Sequence, residues 1–370
     1  MHADPEPAER YRLWPPRRPI LAAMATSAIV VAGLAGGLAY AGGLFSPDRL
    51  TPSGIVDTFQ NVNGVHPGFR RNHTKGACIS GTFESTGAGA RLSKAVVFAP
   101  GTRPVTGRLA VAVGKPFVPD NETLVRSLAL RFELPDGEEW RTGMNDIPVF
   151  PVPTAQDFNG LLVATAADPA TGKPDPARIS AFLAAHPKAA GALKRIKERP
   201  FTAGFADASY NSLNAFRFIA ADGTITPVRW SLVALDSSPA DPAGASKPTD
   251  PDYLFDDFAA RLGRGPVQWR LVATIAQPGD PTDDATQPWP EGRETVDLGT
   301  LTVDHIDAEA SGNCRDVNFD PLVLPSGIAP SDDPLLSARS AAYSVSFTRR
   351  AGEAKTPSEV QFPAKEGNPQ

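Results

Sequence analysis

The sequence predicts an α+β domain built on a closed or nearly closed antiparallel sheet, preceded by an apolar helix near the N-terminus. Two groups of β-branched and apolar runs, each punctuated by turn sequences, are separated by Ala/Leu/Lys-rich stretches with helical periodicity. Pro and Gly, at 38 and 32 of 370 residues, favour short elements joined by loops. Residues 20–45 carry no charge, which predicts the helix that precedes the domain.

The uncharged segment is the first element. It is long enough to cross a hydrocarbon core of about 30 Å at about 1.5 Å per residue. Arginines precede it and Asp48 and Arg49 are the next charges, so the chain that follows should lie outside the cytoplasm. A retained anchor is favoured slightly over cleavage at the small-x-small sequence 39–41, and a buried core helix is a third interpretation. The arginines are Arg10, Arg12, Arg17 and Arg18, and the last two would form half of a twin-arginine export signal.

The strands come next, in two groups joined by turn sequences such as Ala221-Asp222-Gly223-Thr224. The helices fall mainly between the groups and at the end of the domain. Strands are predicted at 95–99, 107–113, 128–134 and 147–152, then at 214–220, 228–234, 267–276 and 300–303, and helices at 157–165, 176–198, 252–262 and 334–350.

The domain organisation follows from these elements. We expect a cytoplasmic tail at 1–19, a transmembrane anchor or signal segment at 20–45, one domain at 46–352 and a disordered tail at 353–370. No internal repeat divides the domain. Residues 237–251 and 278–290, dense in Pro, Asp and Ser, are predicted surface loops.

Charge and cysteine content limit the function. The 36 Lys and Arg against 41 Asp and Glu give a net charge of -5, which does not suggest a nucleic-acid-binding surface. The two cysteines, Cys78 and Cys314, are too few for a Cys-rich zinc site or a disulfide scaffold. Two buried thiols are the favoured interpretation, and a single bridge between them stays open if the chain is exported.

One histidine stands apart as a candidate. Five histidines occur and His2 precedes the apolar segment, so a multi-histidine metal centre has few residues to draw on. His73 precedes the glycine-spaced run 76–83, whose small residues permit the close approach of a flat ligand. Taken alone, His73 is more often a structural histidine than a catalytic one.

A second candidate lies near the C-terminus. Arg339, Tyr343 and Arg350 are spaced to share one face of a helix. A neighbouring guanidinium favours a phenolate, which is a hard anionic ligand for ferric iron, and a further guanidinium suits a carboxylate. The alternative is an ordinary amphipathic helix whose basic end is favoured by the helix dipole.

Taken together, these segments resemble the haem catalase family over about residues 53–350. Arg70-x-x-His73-x-Lys75-Gly76 looks like the distal histidine segment, and residues 143–150 look like the distal asparagine segment. The most specific match is the proximal haem segment, residues 319–331 followed by Asp333-x-x-Leu336-x-x-Arg339-x-x-x-Tyr343 and Arg350. Gly81 and Phe83 continue the distal match, Phe158 falls at the pocket phenylalanine position, and weaker matches at 252–258, Trp269, Trp289-Pro290 and 298–301 keep the order.

The resemblance implies a fold, a cofactor and a role for each residue. The fold would be a catalase-like antiparallel β-barrel with flanking helices, and the cofactor haem b with ferric iron. Tyr343 would be the axial ligand with Arg339 beside it, His73 the acid/base that moves the peroxide proton, and Asn145 the residue that orients the substrate. Haem would further be held by Arg70, Arg108 and Arg350 through its propionates, and by Phe150 and Phe158.

Two departures shape the expected activity. The pocket position usually filled by serine is Ala110, and Thr74 follows the histidine where alanine is usual, so hydrogen peroxide disproportionation should suffer. The chain also ends soon after Arg350 and lacks a long N-terminal arm, which resembles the catalase-related peroxidases, the short members of the superfamily. A monomer or homodimer is then expected rather than an interlocked tetramer.

The resemblance therefore implies an exported, membrane-anchored haem peroxidase. It would reduce organic hydroperoxides and hydrogen peroxide with an external electron donor, on the periplasmic side or in the periplasm if the anchor is cleaved. The alternatives are a true catalase, a haem-binding or haem-sensing protein without turnover, and an isomerase of lipid hydroperoxides. The presence of His73 and Asn145 argues against lost turnover, because a haem carrier needs only Tyr343 and the arginines.

Overall fold

The computed structural model describes residues 17–41, 49–236, 250–355 and 357–362, and the chain divides after Thr51 into two units. The first unit contains helix α1 (Arg17–Ala41). Within it, Ala22–Tyr40 has a mean hydropathy of 1.8 and none of its 19 residues is buried in the structure. The helix therefore has the length and composition of a membrane span, and a signal sequence shares both properties.

The second unit is built on an antiparallel barrel of eight strands. In order around the barrel these are β1, β2, β3, β4, β5, β7, β8 and β9, and the pairing of β9 with β1 closes the ring. The short strands β6 and β10 extend from β7 outside the ring. The strands are β1 (Gly76–Ser85), β2 (Gly101–Val111), β3 (Arg126–Glu133), β4 (Glu139–Asn145), β5 (Tyr210–Asn211), β6 (Phe216–Ile219), β7 (Ile225–Ala234), β8 (Val267–Ile275), β9 (Thr295–Ala308) and β10 (Ile328–Pro330).

The barrel interior is an aromatic core. Phe132 stacks on Trp140 with ring centroids 4.7 Å apart, and Trp230 meets Trp140 edge-on at 5.0 Å. These residues alternate along their strands with less buried ones, as the pleat requires. Because side chains fill the inside of the barrel, a large ligand has to bind on the outer face of the sheet.

Helices surround the barrel. Those of the second unit are α2 (Pro52–Asn63), α3 (Ala155–Thr165), α4 (Pro176–Ala185), α5 (Pro187–Glu198), α6 (Tyr253–Leu262) and α7 (Pro334–Ala351), and α2 and α3 both contact α7. The first residues of α7 show how local hydrogen bonding sets where a helix begins. Asp333 caps α7 by accepting a hydrogen bond of 2.9 Å from the Leu335 backbone amide, with Pro334 in the first helical position.

The sequence predicted most of the longer elements, and the structure differs from the prediction at several places. Residues 95–99 contain a 3₁₀ turn, Val96–Phe98, and residues 147–152 form no strand. The helix predicted at 176–198 is two helices, because Pro187 cannot continue α4 and instead begins α5. Strands β1 and β4, the short strands β5 and β10, and helix α2 were not predicted. The small residues of β1 have a steric cause: a Cβ on Gly81 would lie 2.0 Å from the Thr302 carbonyl oxygen of β9.

The cysteines form a disulfide, which corrects the expectation of two separate thiols. Cys78 on β1 is bonded to Cys314, and their Cα atoms are 5.3 Å apart. Val317 and Phe319 pack beside the bridge, and Tyr343 of α7 packs against the same cluster. The bridge therefore fixes the segment before α7 to the barrel wall.

The expected disordered tail is also corrected for its described part. Residues 353–355 and 357–362 pack on the domain, with Val360 fully buried. Glu353 accepts hydrogen bonds from Arg71 and from the Gly68 amide, and Glu359 accepts one from the Gly76 amide. These carboxylates tie the tail to the segment around His73. The predicted loop at 237–251 lies outside the described residues except for its last two, as do most of the tail at 1–19 and the end of the chain.

Candidate functional site

The candidate residues meet on the outer face of the barrel. Cross-strand pairing aligns Gly76, Ala110, Ser127 and Asn145 in one row across β1 to β4. The next row along the strands that faces the same side of the sheet contains Cys78, Arg108, Ala129 and Gly143. Residues directly opposite one another in a sheet share a face, so the two rows form one surface, which the tip of Tyr343 on α7 approaches.

His73 lies in the turn that leads into this surface. Its backbone has a φ of 51°, a left-handed conformation that is uncommon for a residue with a side chain. The His73 carbonyl accepts a hydrogen bond of 2.7 Å from Arg108, and the Thr74 carbonyl accepts one of 2.9 Å from the same guanidinium. These bonds hold the turn in its strained conformation. Backbone strain of this kind is common at functional sites.

The imidazole of His73 is kept neutral. Burial and the nearby positive charges of Arg108, Arg339 and Arg70 lower its pKa to about 3. A neutral imidazole carries one N–H and one lone pair, so it can accept a proton at one nitrogen.

Asn145 is connected to His73 through one hydroxyl. Ser127 Oγ lies 2.8 Å from His73 Nδ1, and the same hydroxyl donates a hydrogen bond to Asn145 Oδ1. The sequence prediction placed His73 and Asn145 in one site, and the structure brings them together. The prediction did not include Ser127, which is buried and lies beside Ala110 in the same row.

The finding at Ser127 corrects the expected effect of Ala110. With Ala110 at the position usually filled by serine, the histidine was expected to lack a hydroxyl partner. The structure supplies that partner from the neighbouring strand, because Ser127 is the direct cross-strand neighbour of Ala110. The signal that could have identified Ser127 in the sequence is a serine placed so that it can pair with Ala110 in the adjacent strand.

Arg108, which was expected to bind a haem propionate, makes its hydrogen bonds within the protein. Its Nε and Nη2 donate to Glu309 at 2.9 and 3.0 Å, and its remaining bonds are the two to the His73 turn. A Cβ on Gly76 would lie 2.4 Å from the Arg108 guanidinium carbon, so only glycine lets this side chain pass. Arg108 therefore supports the histidine turn, and its guanidinium is engaged within the protein.

Arg70 and Arg350 line a cleft together with Glu309, Glu359 and Arg315. Arg70 donates to the Cys314 and Val317 carbonyls, each at 3.1 Å, while its buried Nε has no hydrogen-bond partner among the described residues. Burial and the charges of Arg108 and Arg350 lower the pKa of Arg70 to about 9.

The carboxylates in the cleft do not balance the arginines. Glu309 has a lowered pKa despite burial, because Arg108 and Arg70 surround it. Burial and the charge of Glu309 raise the pKa of Glu359 to about 7. Near neutral pH the cleft thus holds more cationic than anionic groups, and an added anion would be attracted to it.

Tyr343 and Arg339 reach the row that contains Gly143. A Cβ added to Gly143 would lie 3.6 Å from both Arg339 Nη2 and the Tyr343 hydroxyl, so the two side-chain ends converge there. Arg339 also donates to the Gly143 carbonyl at 3.4 Å and to Asn214 Oδ1. Asn214 in turn donates to Asp333 at 2.8 Å, at the start of α7. The predicted helix over 334–350 is present, and Asn214 and Asp333 are orienting residues that were not predicted.

The predicted aromatic residues form a separate wall. Phe150 and Phe158 lie with ring centroids 5.6 Å apart, and Phe59 of α2 continues the wall at 5.8 Å from Phe158. All three belong to or adjoin helices that contact α7. The residues described by the structure contain no group of three or more His, Cys, Asp or Glu side chains that could hold a metal ion.

The sequence is similar to known proteins over most of its length. The sequence model of the catalase family matches residues 53–367. A catalase-related peroxidase of Synechococcus elongatus is 34% identical over 325 residues, which are 87% of this chain and 95% of that protein. A catalase-related peroxidase of Mycolicibacterium paratuberculosis is 35% identical over 304 residues, 82% of this chain and 96% of that protein.

The fold is similar to solved catalases. Catalase A from Saccharomyces cerevisiae superposes with a TM-score of 0.68 at 18% identity, covering 82% of this chain and 65% of that one. At this identity the likeness concerns the fold alone. It agrees with the predicted α+β barrel and its flanking helices.

Proposed function

This chain belongs to the catalase family, and from that premise we propose that it is a haem-dependent peroxidase that reduces organic hydroperoxides and hydrogen peroxide with an external electron donor. The two relatives of about one-third identity are both named catalase-related peroxidases and are matched over nearly their whole length. The proposal takes its reaction from them and its residues from the structure.

One observation carries the proposal: a neutral histidine and an amide side chain are held together by a single hydroxyl, on the surface that the tyrosine phenol approaches. Asn145 and Gly143 are two residues apart on the same face of β4, roughly 7 Å by strand geometry. The Tyr343 hydroxyl meets that face at Gly143. Acid/base, orienting and ligand groups are thereby gathered at one place.

The residues present fit a haem with ferric iron, which we propose to be haem b. The phenol of Tyr343 has no hydrogen-bond partner within the described part of the chain, so it would be available to bind the iron, with Arg339 close by. The Nε of Arg70, which lies 3.7 Å from Glu309 but has no hydrogen-bond partner among the described residues, and the cationic excess of the cleft suit the propionates. Arg70 and Arg350 would therefore bind propionates, Phe150 and Phe158 would pack on the ring, and Arg108 would act through Glu309 and the histidine turn.

The chain's own residues move and place the proton. When bound, haem supplies the redox chemistry that accompanies cleavage of the O–O bond. His73, neutral at physiological pH, would take a proton from one oxygen of the peroxide and return it to the departing oxygen. Asn145 orients the peroxide by hydrogen bonding. General acid/base catalysis of this kind typically contributes about 10²–10⁴-fold to a rate.

A second candidate function is catalase activity, and Ser127 favours it. Disproportionation was expected to suffer because Ala110 lacks a hydroxyl, and Ser127 provides a hydroxyl to the same histidine. Oxygen release from hydrogen peroxide, compared with donor oxidation on the same sample, separates the two functions.

We further propose that the domain lies outside the cytoplasm, attached by α1 as a retained anchor or released into the periplasm if α1 is cleaved. The hydropathy of Ala22–Tyr40 supports a membrane segment. The Cys78–Cys314 bridge supports the same side, because disulfides form and persist in oxidising compartments. A monomer or homodimer remains the proposed assembly.

The test is a pair of variants of the haem-loaded chain. Tyr343→Phe should lose haem, since it removes the ligand oxygen, whereas His73→Ala should keep haem and lose at least about 100-fold in peroxide reduction. Absorption spectra report haem retention, and stopped-flow mixing with an organic hydroperoxide and a phenolic donor reports the rate. Full activity in a haem-loaded His73→Ala variant would contradict the role of His73.

A further inference from the structure

We propose that Ser127 is the residue that fixes both the tautomer of His73 and the orientation of the Asn145 amide, in place of the hydroxyl that Ala110 lacks. The inference rests on the proposed function and adds a positioning residue to it. It concerns a residue that no sequence motif singled out.

The placement of Ser127 follows from the strand register. It stands between Ala110 on β2 and Asn145 on β4, as the direct partner of each. Side chains in such a row lie about 4.5–5.5 Å apart at Cβ, so a hydroxyl on β3 can reach the histidine that a hydroxyl on β2 would otherwise meet. Ala110 is itself buried and contributes only a methyl group to the row.

The hydrogen bonds have one consistent arrangement. A serine hydroxyl has a single proton and two lone pairs. Its proton goes to Asn145 Oδ1, an oxygen that can only accept. Since that proton is used, Ser127 Oγ must accept the 2.8 Å hydrogen bond from His73, and His73 therefore carries its proton on Nδ1. Since His73 is neutral, Nε2 is left with its lone pair as the proton acceptor.

The same hydroxyl fixes the amide. With Oδ1 held by Ser127, the NH₂ group of Asn145 is the end of the amide that has no protein partner among the described residues. It can donate to a peroxide oxygen while His73 Nε2 accepts the peroxide proton. By holding both side chains, Ser127 leaves His73 Nε2 as an acceptor and the Asn145 NH₂ group as a donor for the substrate. Burial of Ser127, at 7% exposure, keeps water from competing for these bonds.

The structure contains a matched control for this geometry. Ser231 on β7 donates a bond of 2.7 Å to Asn211 Oδ1 of its partner strand β5, so it repeats the serine–asparagine pair of Ser127 and Asn145 without a histidine. Ser231→Ala removes an equivalent cross-strand hydrogen bond from the same barrel. A general loss of sheet stability would affect both variants alike.

The experiment has a kinetic and a spectroscopic part, both on the full chain in detergent. Ser127→Ala should keep haem and lose about 10- to 100-fold in the rate of hydroperoxide reduction, Ser127→Thr should stay near the wild-type rate, and Ser231→Ala should match the wild type. In the haem-free, ¹⁵N-histidine-labelled chain, wild-type His73 should show protonated Nδ1, and Ser127→Ala should show a mixture of tautomers. His73→Gln assigns the signal.

The outcomes separate this inference from the proposed function. A haem-loaded wild-type chain without peroxide reduction contradicts the function, while the tautomer measurement still decides the role of Ser127. Protonated Nε2 in the wild type, or unchanged rate and tautomer in Ser127→Ala, overturns the inference and leaves the function standing. An equal loss in Ser231→Ala overturns it too. If Ser127→Ala does not fold, Ser127→Cys keeps the volume with a weaker hydrogen-bonding group and should give the same loss.

Discussion

At the scale of single residues, the site depends on charges that surround a neutral histidine. Burial and three arginines lower the pKa of His73 to about 3, far below the ordinary value of 6.5. Two of these arginines, Arg108 and Arg70, also flank the carboxylate of Glu309. The electrostatic environment therefore keeps the imidazole neutral at physiological pH and leaves one ring nitrogen with a free lone pair.

This depressed pKa predicts how stability depends on pH. Between about pH 3 and 6.5 the unfolded state binds a proton at His73 and the folded state does not, so the free energy of unfolding rises with pH in this window. The contribution has a slope of at most about 1.4 kcal/mol per pH unit. Urea unfolding of haem-free protein between pH 5 and 6.5 measures it.

The comparison is with His73→Gln, which keeps a polar side chain but cannot titrate. Its free energy of unfolding should rise less steeply over the same interval, and the difference between the two slopes isolates His73 from the other histidines. Identical slopes would mean that His73 titrates alike in the folded and unfolded chain.

At the scale of elements, the disulfide joins the two halves of the site. Cys78 belongs to β1, which follows His73, and Cys314 lies in the segment that leads to α7 and Tyr343. The Cys314 and Val317 carbonyls also hold Arg70. The bridge therefore connects the histidine side, the tyrosine side and a proposed propionate ligand.

Removing the bridge should weaken both fold and cofactor binding. The bridge closes a sequence separation of 236 residues, and loss of a disulfide typically costs about 2–5 kcal/mol. We expect a Cys78→Ala/Cys314→Ala variant to unfold at lower urea concentration and to release haem faster, because Arg70 loses its fixed partners. The wild type with its bridge reduced should behave alike. An unchanged urea midpoint and haem release rate would show that packing alone holds the segment.

At the scale of the whole molecule, the proposed export is tested by topology. A reporter enzyme that works only outside the cytoplasm, fused after residue 370, should be active in bacteria, and one that works only in the cytoplasm should be inactive. Replacing the four arginines before the apolar segment by glutamate should reduce the export of the reporter, because positive charge keeps that end inside. The reverse pattern of reporter activity in the unaltered chain would refute the proposed location.

The family and most of the fold could be predicted from the sequence. Alternating strands, helix caps such as Asp333 with Pro334, and the proximal segment around Tyr343 are local patterns, and local patterns survive in a linear sequence. The strand β1 was missed because its glycines and alanines answer to the close approach of β9, which only the folded barrel creates.

The sequence by itself determined the catalase-like segments, the apolar helix and the candidates His73, Asn145, Arg339 and Tyr343. Only the tertiary structure decided which side chains complete them. Ser127 replaces the hydroxyl missing at Ala110 because strand register places the two residues side by side, and Cys78 meets Cys314 across 236 residues of sequence. Arg108 donates to Glu309 and to the carbonyls of His73 and Thr74 for the same reason. Hydrogen bonds and disulfides depend on distances in space, and sequence spacing specifies such distances only within one helix or strand.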